Sequence, residues 1–137
     1  MKAITLHQPW ATLIALGLKH YETRSWPTTY RGNLAIHAGK TVIFDRQAMP
    51  LVAAALAAHG IHDAKQLPLG GVVCICKLKN VYHTEAVRPY LSADELAFGD
   101  FSDGRAAWDL EIVTVFSQPI RASGKQGLWD WAHHEQR

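Results

Sequence analysis

Two cysteines, Cys74 and Cys76, are all that this 137-residue chain contains, and they stand too close together to staple distant parts of a fold. No apolar run approaches the ~20 residues with which a helix crosses a bilayer, so no membrane association is expected. Nor is there much excess of one charge: 14 Lys and Arg against 12 Asp and Glu leave a formal +2 with the eight His neutral. That balance permits contact with phosphates without demanding it. The opening Met1-Lys2-Ala3-Ile4-Thr5-Leu6 is interrupted by His7, Gln8 and Pro9 before it builds the apolar stretch of a secretory leader; a cytoplasmic location is expected. His59 and His62, with Gly60 between them, do not share a helical metal-binding face, and no further ligand stands at suitable spacing. Neither a metal nor another cofactor is expected.

What is there suits a globular chain: 48% hydrophobic and 19% charged residues over a length typical of one domain. One domain over 1–137 is expected, with 133–137 a mobile tail. Residues 2–6 read as a strand, and Pro9 opens a helix carrying Trp10, Leu13 and Ile14 that stops at Gly17. A strand from Tyr21 to Trp26 and another from Asn33 to Ala38 follow, joined by a loop through Pro27 to Gly32. Residues 43–59 read as helical, with Pro50 as an interruption. Gly70-Gly71 introduces a buried-type strand that contains both cysteines, and their i, i+2 spacing puts them on one face as small core residues. A short helical piece is expected near Ala93 to Ala97. The alternation Ala106, Trp108, Leu110, Ile112, Thr114, Phe116 predicts a long strand with one apolar face, and Leu128 to Trp131 closes the chain after a Gly-rich turn. Five or six strands with two or three helices point to a mostly antiparallel α+β barrel.

Chemistry concentrates between Gly17 and Trp26. On the strand after Gly17, Glu22, Arg24 and Trp26 alternate onto one face and Tyr21, Thr23 and Ser25 onto the other, with Lys19 at the entry. An acid and a base two residues apart beside an aromatic residue can orient a flat ligand or a water. The plainer reading is a structural ion pair between Glu22 and Arg24. Trp10 and Trp26 are candidate stacking platforms, with core packing the alternative for Trp10. His37 and Lys40, at the end of the neighbouring strand, are candidates to approach the same ligand, although His37 also reads as a hydrogen-bonded structural histidine. Lys125 between Gly124 and Gly127 reads as an ordinary turn or as a backbone donor loop for an anion.

Gly17, Lys19, Glu22 and Arg24 spell GxKxxExR, which resembles the signature of the ASCH domain family. His7-Gln8-Pro9-Trp10-Ala11, the stretch Arg31 to Ala38, the segment 104–108 and Gly124 to Trp131 are similar to the short microbial and phage members. The resemblance implies a PUA-like, mostly antiparallel β-barrel with two to three flanking helices and a cleft between barrel and first helix lined by the motif. It implies RNA binding or, in some members, hydrolysis of the amide of N4-acylated cytidine by a Lys, a Thr and a Glu. Lys19 matches the family's lysine, but Glu22 stands where that threonine is expected, and Thr23, one residue later, is expected on the opposite face. Glu95 and Glu111 are candidates for the third residue.

The expected function is therefore hydrolysis of an acylated or related modified pyrimidine nucleoside, with Lys19, Glu22 and Arg24 catalytic and Trp10, Trp26, His37 and Lys40 binding substrate. Glu22 would serve as base toward water, Lys19 would stabilise the oxyanion or donate the proton, and Arg24 would hold Glu22. The alternative is a non-catalytic module that binds single-stranded or modified RNA. Ribonuclease activity ranks behind both, because no distinctive histidine pair supports it.

Overall fold

Apolar strands separated by glycine- and proline-bearing turns give a six-stranded sheet: β1 (Lys2–Gln8), β2 (Tyr21–Arg24), β3 (Gly32–Val42), β4 (Gly71–His83), β5 (Ala106–Arg121) and β6 (Trp129–Asp130). Four short helices punctuate them: α1 (Trp10–Ala15), α2 (Pro50–Ala57), α3 (Thr84–Val87) and α4 (Ala93–Ala97). The structure is a computed structural model and describes residues 1–132; the segment 133–137 lies outside the described residues. The strand order is β2-β5-β4-β3-β1-β6, antiparallel throughout except for β1 and β3, which run parallel. The sheet curls until its two ends approach, and Arg24 of β2 donates through Nη2 to the carbonyl of Thr5 on β1 at 3.0 Å. The α+β, mostly antiparallel, barrel-like architecture follows the sequence expectation.

The interior is filled by inward-facing residues of every long strand. Ile4 and Leu6, Leu34 and Ile36, Cys74, Cys76 and Leu78, and Trp108 and Leu110 form one buried cluster. Both cysteines are free and fully buried, and the neighbouring Cys76 thiol together with burial pushes the Cys74 thiol far up. Helix α1 is buried on two sides: Ile14 packs into the barrel while Leu13 joins Val52, Leu56 and Phe98 in a second cluster under α2 and α4. Trp129 and Trp131 pack with Ala3, Ala35 and Val72 on the other side of the sheet.

Three elements differ from expectation for definite reasons. Pro50 does not interrupt a helix begun at Ile43 but starts α2, because a proline at the first helical position costs no hydrogen bond. The motif strand stops at Arg24, two residues before Trp26, and Pro27 follows directly. Strand β5 is fully buried on its apolar face only from Ala106 to Leu110; Ile112, Val113 and Val115 are exposed, and Phe116 and Ile120 are partly buried against the cluster of Trp129 and Trp131. Its outer edge is covered by β2 over Ala106 to Asp109 alone, so the alternation runs through a stretch without that cover.

Trp108 is fully buried and meets Trp26 edge-on at 5.0 Å between ring centroids, while its Nε1–H donates to the Trp26 carbonyl at 3.3 Å. Trp108→Ala is expected to lower the unfolding free energy by about 3–5 kcal/mol through transfer and cavity terms. Urea denaturation of the two proteins under identical conditions measures it.

Candidate functional site

Helix α1 ends in a turn that determines where Lys19 goes. Gly17 takes φ +76°, a left-handed conformation that glycine adopts without strain. The amides of Leu18 and Lys19 then fold back onto the Leu13 carbonyl at 3.0 and 3.1 Å. Lys19 thereby points inward, only 2% exposed. Its Nζ donates to the Tyr21 carbonyl at 2.6 Å and to the Phe98 carbonyl, lies 3.6 Å from Glu22 Oε1, and sits 5.5 Å from the centroid of Trp10. Burial lowers its pKa below the ordinary 10.5, a larger effect than the opposing pull of Glu22 and Glu95.

Glu22 and Thr23 arrive on β2, opposite Trp108 and Ala107 of β5. Glu22 Oε2 lies 3.4 Å from Arg24 Nε, so the carboxylate stands between two cations. Arg24 Nε is buried and makes no hydrogen bond. Strict alternation predicts Thr23 on the face away from Glu22, yet both residues line the same cleft. The chain from Phe98 to Phe101 covers that side of β2: the Asp100 amide donates to Thr23 Oγ1 at 3.0 Å. A Cβ built on Gly99 would stand 3.1 Å from Thr23 Oγ1 and 3.4 Å from Lys19 Nζ, so the two side chains converge over a stretch of backbone that carries no side chain of its own.

Helix α4 holds the motif from outside. Ser92 caps it, and the buried Glu95 accepts from the amides of His20, at 3.0 and 3.1 Å, and Tyr21, at 3.2 Å, as well as from His20 Nδ1–H at 2.8 Å. Glu95 is thus a backbone clamp behind Lys19, while Glu111 is exposed on β5. Neither lines the cleft that Lys19 shares with Glu22 and Thr23.

The candidate residues divide between two adjoining cavities. Lys19, Glu22, Thr23, Arg24 and Trp10 line a cleft of about 490 Å³. Trp26, His37 and Lys40 line a larger groove of about 1230 Å³ beside it. Thr5, His7 and Arg24 belong to both. Trp26 is separated from Glu22 because the strand ends before it. His37 is 2% exposed and fully engaged: Nε2–H donates to the Ala122 carbonyl at 2.7 Å, leaving Nδ1 to accept from the Thr5 hydroxyl at 3.2 Å. Thr5 Oγ1 in turn accepts from Trp129 Nε1–H at 3.1 Å. Four contributors escape the sequence reading: Thr5, Phe98, Asp100 and Arg105. Phe98 acts through its carbonyl and Asp100 through its amide, groups that a residue's name does not advertise, and Arg105 fixes their turn by donating to the Asp100 carbonyl at 3.0 Å.

The ASCH domain family model matches residues 4–120. Activating signal cointegrator 1 of Mus musculus and of Homo sapiens are each 51% identical to this chain over 35 residues, a match that takes in 26% of this chain and 6% of each of those proteins. Among solved structures, ASCH from Zymomonas mobilis aligns with TM-score 0.51 and 15% identity over 88% of this chain and 72% of its own. A tyrosine-to-phenylalanine mutant of that protein aligns with TM-score 0.50 at the same identity, over 88% and 74%. At that identity the likeness concerns the fold, which is PUA-like. The family model spans most of the chain and the motif stands within it at the cleft: the chain belongs to the ASCH domain family.

Proposed function

We propose that this chain hydrolyses the amide of an acylated exocyclic amine on a pyrimidine nucleoside, such as N4-acylcytidine, bound in the cleft of Lys19, Glu22, Thr23 and Arg24. The observation that supports this best is that Lys19 Nζ and Thr23 Oγ1 both border the space a side chain on Gly99 would fill, 3.4 and 3.1 Å from a Cβ built there, with the Glu22 carboxylate 3.6 Å from the amine. A lysine, a hydroxyl and a carboxylate in one cleft are the groups that acyl transfer from nitrogen requires. Thr23 takes the nucleophile's part in this reading, and Glu22 becomes the partner of Lys19 in place of a base toward water.

The chemistry balances as follows. Neutral Lys19 keeps two N–H groups on the Tyr21 and Phe98 carbonyls and uses its lone pair to take the Thr23 proton as Oγ1 adds to the acyl carbon. The same proton passes to the departing amine as the C–N bond breaks, leaving an acyl-threonine ester and the free base. Water then adds to the ester with Lys19 again as base, releasing the carboxylic acid and restoring Thr23. Glu22 steadies the transient ammonium, and Arg24 Nε, without a hydrogen-bond partner of its own, is a donor for the oxyanion. The alternative, recognition of the same base in RNA without chemistry, draws support from the number of acceptors already around Lys19 Nζ; it predicts binding and no product.

Incubation with N4-acetylcytidine, followed by absorbance as cytidine forms, is expected to show turnover that falls at least ~100-fold in Lys19→Ala and in Thr23→Ala, a loss typical of a positioned acid–base or nucleophilic group. Absence of turnover across several acyl groups, or turnover that survives both substitutions, refutes the reading.

The pH dependence has a definite sign. The reactive form of Lys19 is the neutral amine, and burial lowers the pH at which it forms. With Lys19 as base, kcat/KM is expected to rise with pH through an inflection below the ordinary lysine value of 10.5. A profile that falls over that range would make Lys19 an acid.

A further inference from the structure

The lining of the cleft is of two kinds. Its polar part comes from β2 and from the chain between α4 and β5: Glu22, Thr23, Arg24, Asp100 and Arg105. Its apolar part comes from α1, from the segment between β3 and α2, and from the last residue of α4: Trp10, Ile43, Met49 and Ala97. None of these four borders the larger groove. A single exposed apolar side chain is ordinary on a protein surface. Several around one cavity that also holds convergent polar groups are the lining expected of a small-molecule site.

The backbone fixes where these apolar side chains stand. The Ile43 amide donates to the Gln8 carbonyl at 2.8 Å, while the side chain stays 44% exposed. Met49 closes a turn braced by Asp45, whose carbonyl accepts from the Met49 amide at 2.8 Å and whose Oδ1 accepts from the amides of Gln47 and Ala48 at 3.0 and 3.2 Å. The Asp45 amide donates in turn to Met49 Sδ at 3.4 Å. Trp10 and Met49 are partly buried against the cluster of Leu13, Val52, Leu56 and Phe98. The centroid of the Trp10 ring lies 5.5 Å from Lys19 Nζ, so the apolar part of the cleft begins beside the amine.

From this arrangement we infer that Trp10, Ile43 and Met49 form an apolar acyl subsite, which selects substrates whose acyl group is larger than acetyl. The inference rests on the hydrolase reading of the cleft and deepens it by naming the acyl class. In that reaction the carbon attacked by Thr23 Oγ1 bears two unlike substituents. Its nitrogen leads to the base, whose polar edge needs hydrogen-bonding groups such as Glu22 and Arg24. Its alkyl or aryl chain gains nothing from charged neighbours. Leaving the carbon beside Lys19, that chain meets the ring of Trp10 and then Ile43 and Met49. Burial there takes water off both the chain and an isoleucine that otherwise stays exposed. The unbranched thioether of Met49 adapts to chains of different shape, so selection follows apolar size over a range of acyl groups.

The test measures kcat/KM of the full chain for N4-acetyl-, N4-propanoyl-, N4-butanoyl- and N4-benzoylcytidine, and the affinity for the same four compounds by isothermal titration calorimetry where none is turned over. From acetyl to butanoyl kcat/KM is expected to rise about 3-fold per methylene, the gain of moving one methylene out of water, with benzoyl also above acetyl. In the double variant Ile43→Thr, Met49→Gln the ratio of butanoyl to acetyl is expected to fall at least ~3-fold toward one, as the transfer gain of a methylene is lost. A ratio taken within one protein does not change with the amount of folded material. Turnover that ignores or declines with acyl size defeats the subsite and leaves the hydrolase standing. A ratio that the double variant leaves as it was places the chain elsewhere and overturns the inference. With no turnover of any of the four, affinity that rises per methylene in the unaltered chain but not in the double variant defeats the hydrolase and leaves the apolar subsite standing. Affinity that ignores acyl size, without turnover, defeats both.

Discussion

A lysine side chain buried in the seam between a barrel and its flanking helices has to be compensated by polar partners, and Lys19 finds them in three different places. The Tyr21 carbonyl comes from the motif strand, the Phe98 carbonyl from the turn after α4, and the Glu22 carboxylate from the strand face. Removing any of them leaves a buried amine short of an acceptor, a larger loss than the net contribution of the contact itself. The Gly17 turn, the clamp of Glu95 on the amides of His20 and Tyr21, and the cap of Ser92 on α4 all serve to hold those partners in place. The site is thus a consequence of one amine being brought inside.

The same arrangement explains why the site is divided. Arg24 faces Glu22 on one side and reaches the Thr5 carbonyl on the other, so it seals the curled sheet where β2 approaches β1. The cleft lies on the Glu22 side, with both signs of charge, and the groove lies beyond it, its charged lining made of cations alone. The two cavities join at Arg24, with Thr5 and His7, which line both.

Much of this was legible in the chain. Alternation marked β5, the Gly70-Gly71 pair marked the start of β4, and the short helix at Ala93 to Ala97 was evident from its composition. Glu22 and Arg24 share a face because β residues two apart do, and they do meet, at 3.4 Å. The exposure of Ile112, Val113 and Val115 in β5 was not legible, because alternation records which side could be buried and not whether anything lies there. That Thr23 also borders the cleft was not legible for a related reason: a strand with covering chain on both faces buries both sets of side chains, and the segment 98–101 that covers it is remote in sequence.

By itself the sequence determined the fold class, the family and the segment that carries the motif, since hydrophobic period, glycine turns and the Lys19-Glu22-Arg24 spacing are local properties that persist in any packing. Only the tertiary structure decided which groups act together. Phe98 and Asp100 contribute backbone atoms that no residue name reveals, His37 is occupied by Thr5 and Ala122, and Glu95 is occupied by amides. Their roles follow from distances between segments far apart in the chain, and those distances exist only once α4 has packed against α2 and the sheet has curled.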